Sequence, residues 1–153
     1  MTGINFMKLK KIILDIIEEE KEQGNSLKGA SEYEIIELKR AFKYKYDFEI
    51  PEAYLDILRI TNGLKYNGLI IWPTAPYAEF NEGLFEANYY YRSTMRGYYF
   101  YFCMLDNDIY VYNTITDKYM LIDLQGHCTC GIFSSCKELL ESALTSAWDS
   151  CEH

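Results

Sequence analysis

Phe48-Glu49-Ile50-Pro51-Glu52-Ala53-Tyr54-Leu55-Asp56-Ile57-Leu58-Arg59-Ile60-Thr61-Asn62-Gly63 spells out one helix together with both of its ends. Proline suits the first helical position, because its fixed φ fits the turn and its missing N–H is not needed there. Pro51 therefore starts the helix, and Glu52 sits well at the positive end of its dipole. Asn62-Gly63 supplies the left-handed residue that commonly closes a helix. Between them Tyr54, Leu55, Ile57, Leu58 and Ile60 carry apolar surface on more than one side, which places the helix in the core. Such a helix sets architecture and brings no chemistry of its own.

Towards the N-terminus, Phe6 to Glu22 reads as a helix: Phe6, Leu9, Ile13 and Ile16 keep three-and-four spacing, and Ile12 and Ile17 widen the stripe. Its other face carries Glu18, Glu19, Glu20 and Glu22, a solvated surface or part of an acidic docking patch. Gln23-Gly24-Asn25-Ser26 ends it, and a linker runs to Ala30. Ser31 and Glu34 form a capping box for a second helix, from about Glu32 to Phe42 or a little beyond, with Tyr33, Ile36, Arg40 and Tyr44 along one side. Lys43 to Glu49 alternates polar and aromatic residues, so it is expected to run extended into Pro51.

Towards the C-terminus, Asn67-Gly68 between Leu64-Lys65-Tyr66 and Leu69-Ile70-Ile71-Trp72 predicts a hairpin. Pro73 and Pro76 bracket a loop; within Asn81 to Arg92, Leu84, Phe85, Ala87 and Asn88 suit a helix and Tyr89-Tyr90-Tyr91 a strand, and a short helix is the favoured reading. Strands follow at Tyr98–Cys103, Ile109–Asn113, Lys118–Asp123 and near Cys128–Phe133, joined by polar turns at 106–108, 114–117 and Gln125-Gly126. Ser135 and Glu138 offer a second capping box for a last helix reaching Asp149. Helices, an antiparallel meander and a closing helix predict a single α+β domain over residues 1–153, with its core at about 8–148.

The 153 residues carry a formal net charge of −8, which argues against nucleic acid as a direct ligand, since phosphate neutralisation needs clustered Lys and Arg. The same charge suits a basic protein partner. No apolar run reaches the ~18 residues needed to span a bilayer. Lys8, Lys10 and Lys11 are interleaved with apolar residues rather than preceding an apolar block, so the expected location is cytoplasmic. Five cysteines, an odd number, then read as free thiols.

Catalytic patterns are missing: the chain has no glycine-rich phosphate loop, no G-x-S-x-G elbow and no H-E-x-x-H helix. No catalytic residue, metal or cofactor is expected. His127-Cys128-Thr129-Cys130 is the one cluster to weigh, but two strand cysteines two apart share a face and do not make a C-x-x-C zinc knuckle. A thiol or zinc enzyme using His127, Cys128 and Cys130 is the third-ranked reading. Asp106-Asn107-Asp108 opens like a calcium loop but lacks its glycine and closing glutamate, and reads as a turn.

Ile50-Pro51-Glu52-Ala53-Tyr54-Leu55-Asp56-Ile57-Leu58, followed by Thr61-Asn62-Gly63 and a hairpin, resembles the signature of the SUKH superfamily, the Smi/Knr family. Leu64-Lys65-Tyr66-Asn67-Gly68-Leu69, Phe85-Glu86-Ala87-Asn88, Tyr110-Val111-Tyr112, Lys118-Tyr119 and Phe133-x-x-Cys136-Lys137-Glu138-Leu139-Leu140 follow in the order of its YrhA-like branch. Ile50 stands where leucine is commoner, and the Tyr89–Tyr91 stretch is a departure. The resemblance implies one α+β domain and no shared catalytic residues. It also implies an immunity protein that binds and neutralises a cognate bacterial toxin, often a nuclease. The alternative is a regulatory or scaffold protein of the Smi/Knr type, acting on a cellular enzyme in cell-wall synthesis. Tyrosine, with 15 copies, suits interfaces as well as sheet faces. The expected partner contacts are Glu79, Glu82, Tyr89, Tyr90, Tyr91, Asp106, Asp108, Tyr110 and Tyr112. The partner is expected to be a basic protein, with no membrane or nucleic acid involved, and the chain a monomer or weak homodimer.

Overall fold

The computed structural model describes residues 2–125 and 128–150, and of residues 2–7 the backbone only. The side chain of Phe6, Gly126 of the expected turn, His127, Cys151 and His153 lie outside the described residues. In chain order the first elements are α1 (Thr2–Glu22), α2 (Glu32–Tyr46), α3 (Glu52–Ile60), β1 (Leu64–Tyr66) and β2 (Leu69–Ile71). They are followed by α4 (Leu84–Thr94), β3 (Tyr99–Leu105), β4 (Asp108–Asn113), β5 (Lys118–Asp123), β6 (Thr129–Phe133) and α5 (Cys136–Asp149). Helices first, then a meander and a closing helix, make a single α+β domain, as expected.

Pro51 caps α3 from just outside, with φ −58° and ψ 138°, and its carbonyl accepts from the N–H groups of Tyr54 and Leu55. The end of α3 differs from the expectation. Thr61 caps it in an extended conformation, and the left-handed residue is Gly63, at φ 86°, which turns the chain into β1. Tyr54, Leu55, Ile57 and Leu58 are fully buried, so the helix is the core element its composition predicts. Arg59 ties it to α2 through Glu32 at 2.8 Å. The linker crosses its C-terminal end, where Ala30 N–H donates to Leu58 O at 2.7 Å and Asn62 N–H to Lys28 O at 2.8 Å.

The Ser31–Glu34 capping box is present, with Ser31 N–H to Glu34 Oε1 at 2.9 Å and Glu34 N–H to Ser31 Oγ at 3.2 Å. The helix it starts continues into the segment expected to run extended. Lys43 to Tyr46 is helical, because the Tyr46 ring one turn after Phe42 packs on Phe42 and Phe85. Asp47, left-handed at φ 52°, then closes the helix by donating its N–H to Lys43 O. The second capping box is altered. Ser135 Oγ accepts from Glu138 N–H, but the Glu138 carboxylate turns to the N–H and hydroxyl of Ser134 rather than of Ser135.

Asn67 and Gly68 both take positive φ, 53° and 87°, as a two-residue hairpin turn requires. The hairpin is not separate from the meander. β2 pairs with β3, and the six strands form one antiparallel sheet in the order β1-β2-β3-β4-β5-β6. Ile71 is the last residue of β2 and lies opposite Cys103, so the N-terminal half of β3 has no strand on that side. A bulge between Tyr101 and Cys103 kinks β3 there. α5 packs across the strands beside α3, and α1 packs on both helices through Leu9, Ile13 and Ile16. α4 lies beside β3, in the space β2 does not reach. Among the described residues no helix is long and apolar enough to cross a membrane.

Candidate functional site

Asn88 on α4 is the device that seats this helix. It is 1% exposed. Its Nδ2 donates to Tyr101 O at 2.8 Å and to Leu84 O at 2.9 Å, while Tyr101 N–H donates to its Oδ1 at 2.7 Å. One amide side chain thus replaces the strand partner that Tyr101 lacks. Tyr91 adds to the anchor: its hydroxyl donates to Met104 Sδ at 3.2 Å and its ring lies on Trp72 and Tyr101. Burial, then the charge of Glu82, pushes the Tyr91 phenol above its ordinary value. With Asn88 and Tyr91 turned inward, Tyr89 and Tyr90 are turned out, 56% and 53% exposed.

A groove of about 280 Å³ runs between α2 and α4. Leu38, Ala41, Ala75 and Phe85 give it apolar walls, and Tyr33, Glu34, Glu37 and Glu86 line it as well. Phe85 reaches across to Phe42 in an edge-to-face contact at 5.6 Å, which brings the two helices together. Glu34 and Glu86 are each the capping residue of their helix. Glu86 Oε1 accepts from Gly83 N–H at 3.0 Å, as Glu34 does from Ser31. Capping fixes both side chains at the N-termini of the two helices. Asn62 shapes the neighbouring loop, because Thr74 N–H donates to its Oδ1 at 2.8 Å and its Nδ2 donates to Thr74 Oγ1 at 3.1 Å. The Tyr77 hydroxyl donates to Asn62 O. Burial, followed by the charges of Glu79 and Glu34, raises the Tyr77 phenol.

The nine expected contact residues do not form one surface. Tyr89 and Tyr90 are exposed on α4 and Glu82 is half-buried just before it, whereas Glu79 is exposed beside β1, where Lys65 Nζ donates to its carbonyl at 2.6 Å. Tyr91 is half-buried, with its ring and hydroxyl turned to the anchor. Tyr110 is a core residue at 1% exposure, its hydroxyl held by Ser142 and Ser146 of α5 and its phenol pushed up to about 12 by burial. It faces the helices because β4 alternates and Tyr110 falls on the covered face. Tyr112 is half-buried against Phe48 and Tyr119, and its hydroxyl donates to Asp117.

Asp106 and Asp108 sit elsewhere, at the β3–β4 turn, where Asp106 N–H donates to Gly68 O of the hairpin. Burial and then Asp123 and Asp106 raise the Asp108 carboxyl above the usual range. Sequence reasoning missed Tyr33, Tyr44 and Tyr77 as surface tyrosines, and missed Glu34, Glu37 and Glu86 as one acidic set. The helical phase of Tyr33, Glu37 and Tyr44 was the available signal, since three-and-four spacing puts them on one side of α2.

A larger groove, of about 670 Å³, lies on the other side of α2 and includes Ile36, Lys39, Arg40, Lys43 and Tyr119. Its cations are largely engaged: Arg40 pairs with Glu37 and Lys43 with Asp47. Cys128 and Cys130 are exposed, and Cys130 Sγ lies 3.6 Å from Cys128 O. Among the described residues no group of three or more His, Cys, Asp and Glu comes together as metal ligands. Compared with models of protein families and with curated proteins, the chain matches none.

Proposed function

We propose that this chain is a non-catalytic protein-binding module, an immunity protein that occludes a basic cognate toxin by stoichiometric binding. The observation that carries the reading is where the most exposed tyrosines fall. Tyr33, Tyr44, Tyr77, Tyr89 and Tyr90, each 45% exposed or more, belong to α2, α4 and the loop between β2 and α4. Tyrosine offers a large rigid contact area with a polar tip and is enriched at interfaces. The same elements contribute Glu34, Glu37, Glu79, Glu82 and Glu86, which gather in the first turns of α2 and α4 and the loop before α4, while Lys39, Arg40, Lys43, Lys45 and Arg92 lie further along the two helices. Carboxylates so placed suit the Lys and Arg with which a nuclease holds phosphates. The α+β architecture is the one that the SUKH resemblance implies, which adds support.

Co-expression with a toxin-like reading frame next to the gene tests the reading. Growth should be restored by the wild-type chain, and the two proteins should elute together. Persistent growth arrest with both proteins expressed would sink it.

A further inference from the structure

We infer that the α2–α4 groove is the docking point for an arginine of the partner, together with an apolar residue beside it. The inference rests on the protein-binding reading and names the site within it. At about 280 Å³ the groove is at or below the lower end of the ~300–1,000 Å³ typical of small-molecule sites. One or two side chains would fill it. Among the described residues lining it there is no Lys or Arg, whereas Glu34, Glu37 and Glu86 come from two different helices.

Two of these carboxylates are held in place: Glu86 by Gly83 N–H on one oxygen, and Glu34 by Ser31 N–H on one oxygen and, at 3.5 Å, by Asn62 Nδ2 on the other. Their rotamers are therefore set before a ligand arrives, which lowers the ordering cost of binding. Glu37 is paired only at the helix surface, with Arg40 at 2.8 Å, and can exchange that partner. A guanidinium answers this arrangement better than an ammonium. It forks onto carboxylates and its flat face lies against aromatic rings, here Tyr33 and Phe85. Leu38 and Phe85 then leave apolar wall for a neighbouring hydrophobic side chain. Asp106, Asp108 and Asp123 have no such groove among those described, and the groove of about 370 Å³ beside Glu20 and Glu79 is also lined by Lys28 and Lys65.

The probe is the blocked peptide Trp-Arg-Leu-Arg, titrated into the 15N-labelled full chain, with Trp-Glu-Leu-Glu as the opposite-charge control. Saturable shifts should centre on the amides of Tyr33, Glu37 and Phe85, and the acidic peptide should leave them unmoved. Glu37→Lys should weaken the arginine peptide about tenfold, the size of one lost charge-assisted contact. Glu18→Lys on α1 changes net charge equally and should leave the affinity within about twofold. Circular dichroism of both variants confirms that they fold. Ala75→Trp, which fills the groove without touching charge, should also abolish binding.

Shifts centred on Asp106 and Asp123, equal losses in both lysine variants, or no saturable binding would each overturn the groove assignment. The assignment and the function fail separately. Toxin neutralisation that survives Glu37→Lys and Ala75→Trp refutes the groove alone. Groove binding without any rescue by the wild-type chain refutes the immunity reading alone.

Discussion

Replacing Asn88 by alanine removes the side chain that stands in for a strand beside Tyr101. The native amide pairs with both backbone groups of Tyr101, at 2.7 Å and 2.8 Å, in a position 1% exposed. Leu84 O keeps its ordinary helical partner, so the loss concentrates on Tyr101. An unsatisfied buried donor or acceptor costs about 1–3 kcal/mol, and two of them about 2–6 kcal/mol. Water entering the small cavity would place the result at the lower end of that range. At about 2–4 °C per kcal/mol for a chain of this size, melting should fall by roughly 4–24 °C.

Urea unfolding measures the change directly, with the midpoint moving and the slope unchanged. Asn88→Asp is the informative companion. It keeps an acceptor for Tyr101 N–H but sets a carboxylate against Tyr101 O and Leu84 O, so its loss should be at least as large. Hydrogen exchange at the Tyr101 amide should accelerate in both variants. A loss below about 1 kcal/mol for Asn88→Ala, with Tyr101 still protected, would refute the view that this amide replaces a strand.

Leu58→Ala should cost about 2–5 kcal/mol, since Leu58 is fully buried on α3, and wild-type melting would show that α3 is not the core element described. Gly29→Ala should destabilise strongly, because an added Cβ would lie 2.0 Å from Arg59 O, a backbone atom that cannot step aside; a fold with unchanged melting would contradict the close crossing. In thiol titration of the native protein, exposed Cys128 and Cys130 should react, whereas Cys103 and Cys136 should react only on unfolding, since burial pushes both thiols up. Asp108→Asn should raise melting at about pH 7, because burial and the neighbouring aspartates lift the folded carboxyl above its unfolded value. The charged form then burdens the folded state above that raised value, so the gain should shrink as pH falls through it; a gain that persists in acid would show that charge is not the cause.

Helix ends and turns were readable because their causes are local. Ser31 with Glu34 and Asn67-Gly68 specify their geometry within four residues, and both are found as predicted. The apolar crowding of Tyr54, Leu55, Ile57 and Leu58 likewise marked a core helix from composition alone. Misreadings arose where a distant group competes. The alternation of Lys43 to Glu49 pointed to an extended segment until Phe85 gave Tyr46 a reason to stay on the helix.

Tyrosine shows the division most plainly. The sequence by itself determined an acidic, tyrosine-rich α+β chain with no catalytic pattern, because charge, residue type and short-range periodicity are properties of the chain. Only tertiary structure decided that Tyr110 is buried and Tyr91 half-buried while Tyr33, Tyr44 and Tyr77 are exposed. A phenol is content on either side of a surface, so its placement follows from what packs over it. The acidic groove has the same origin. Glu34 and Glu86 are 52 positions apart, and they meet because Asn88 and Phe85 dock α4 between β3 and α2.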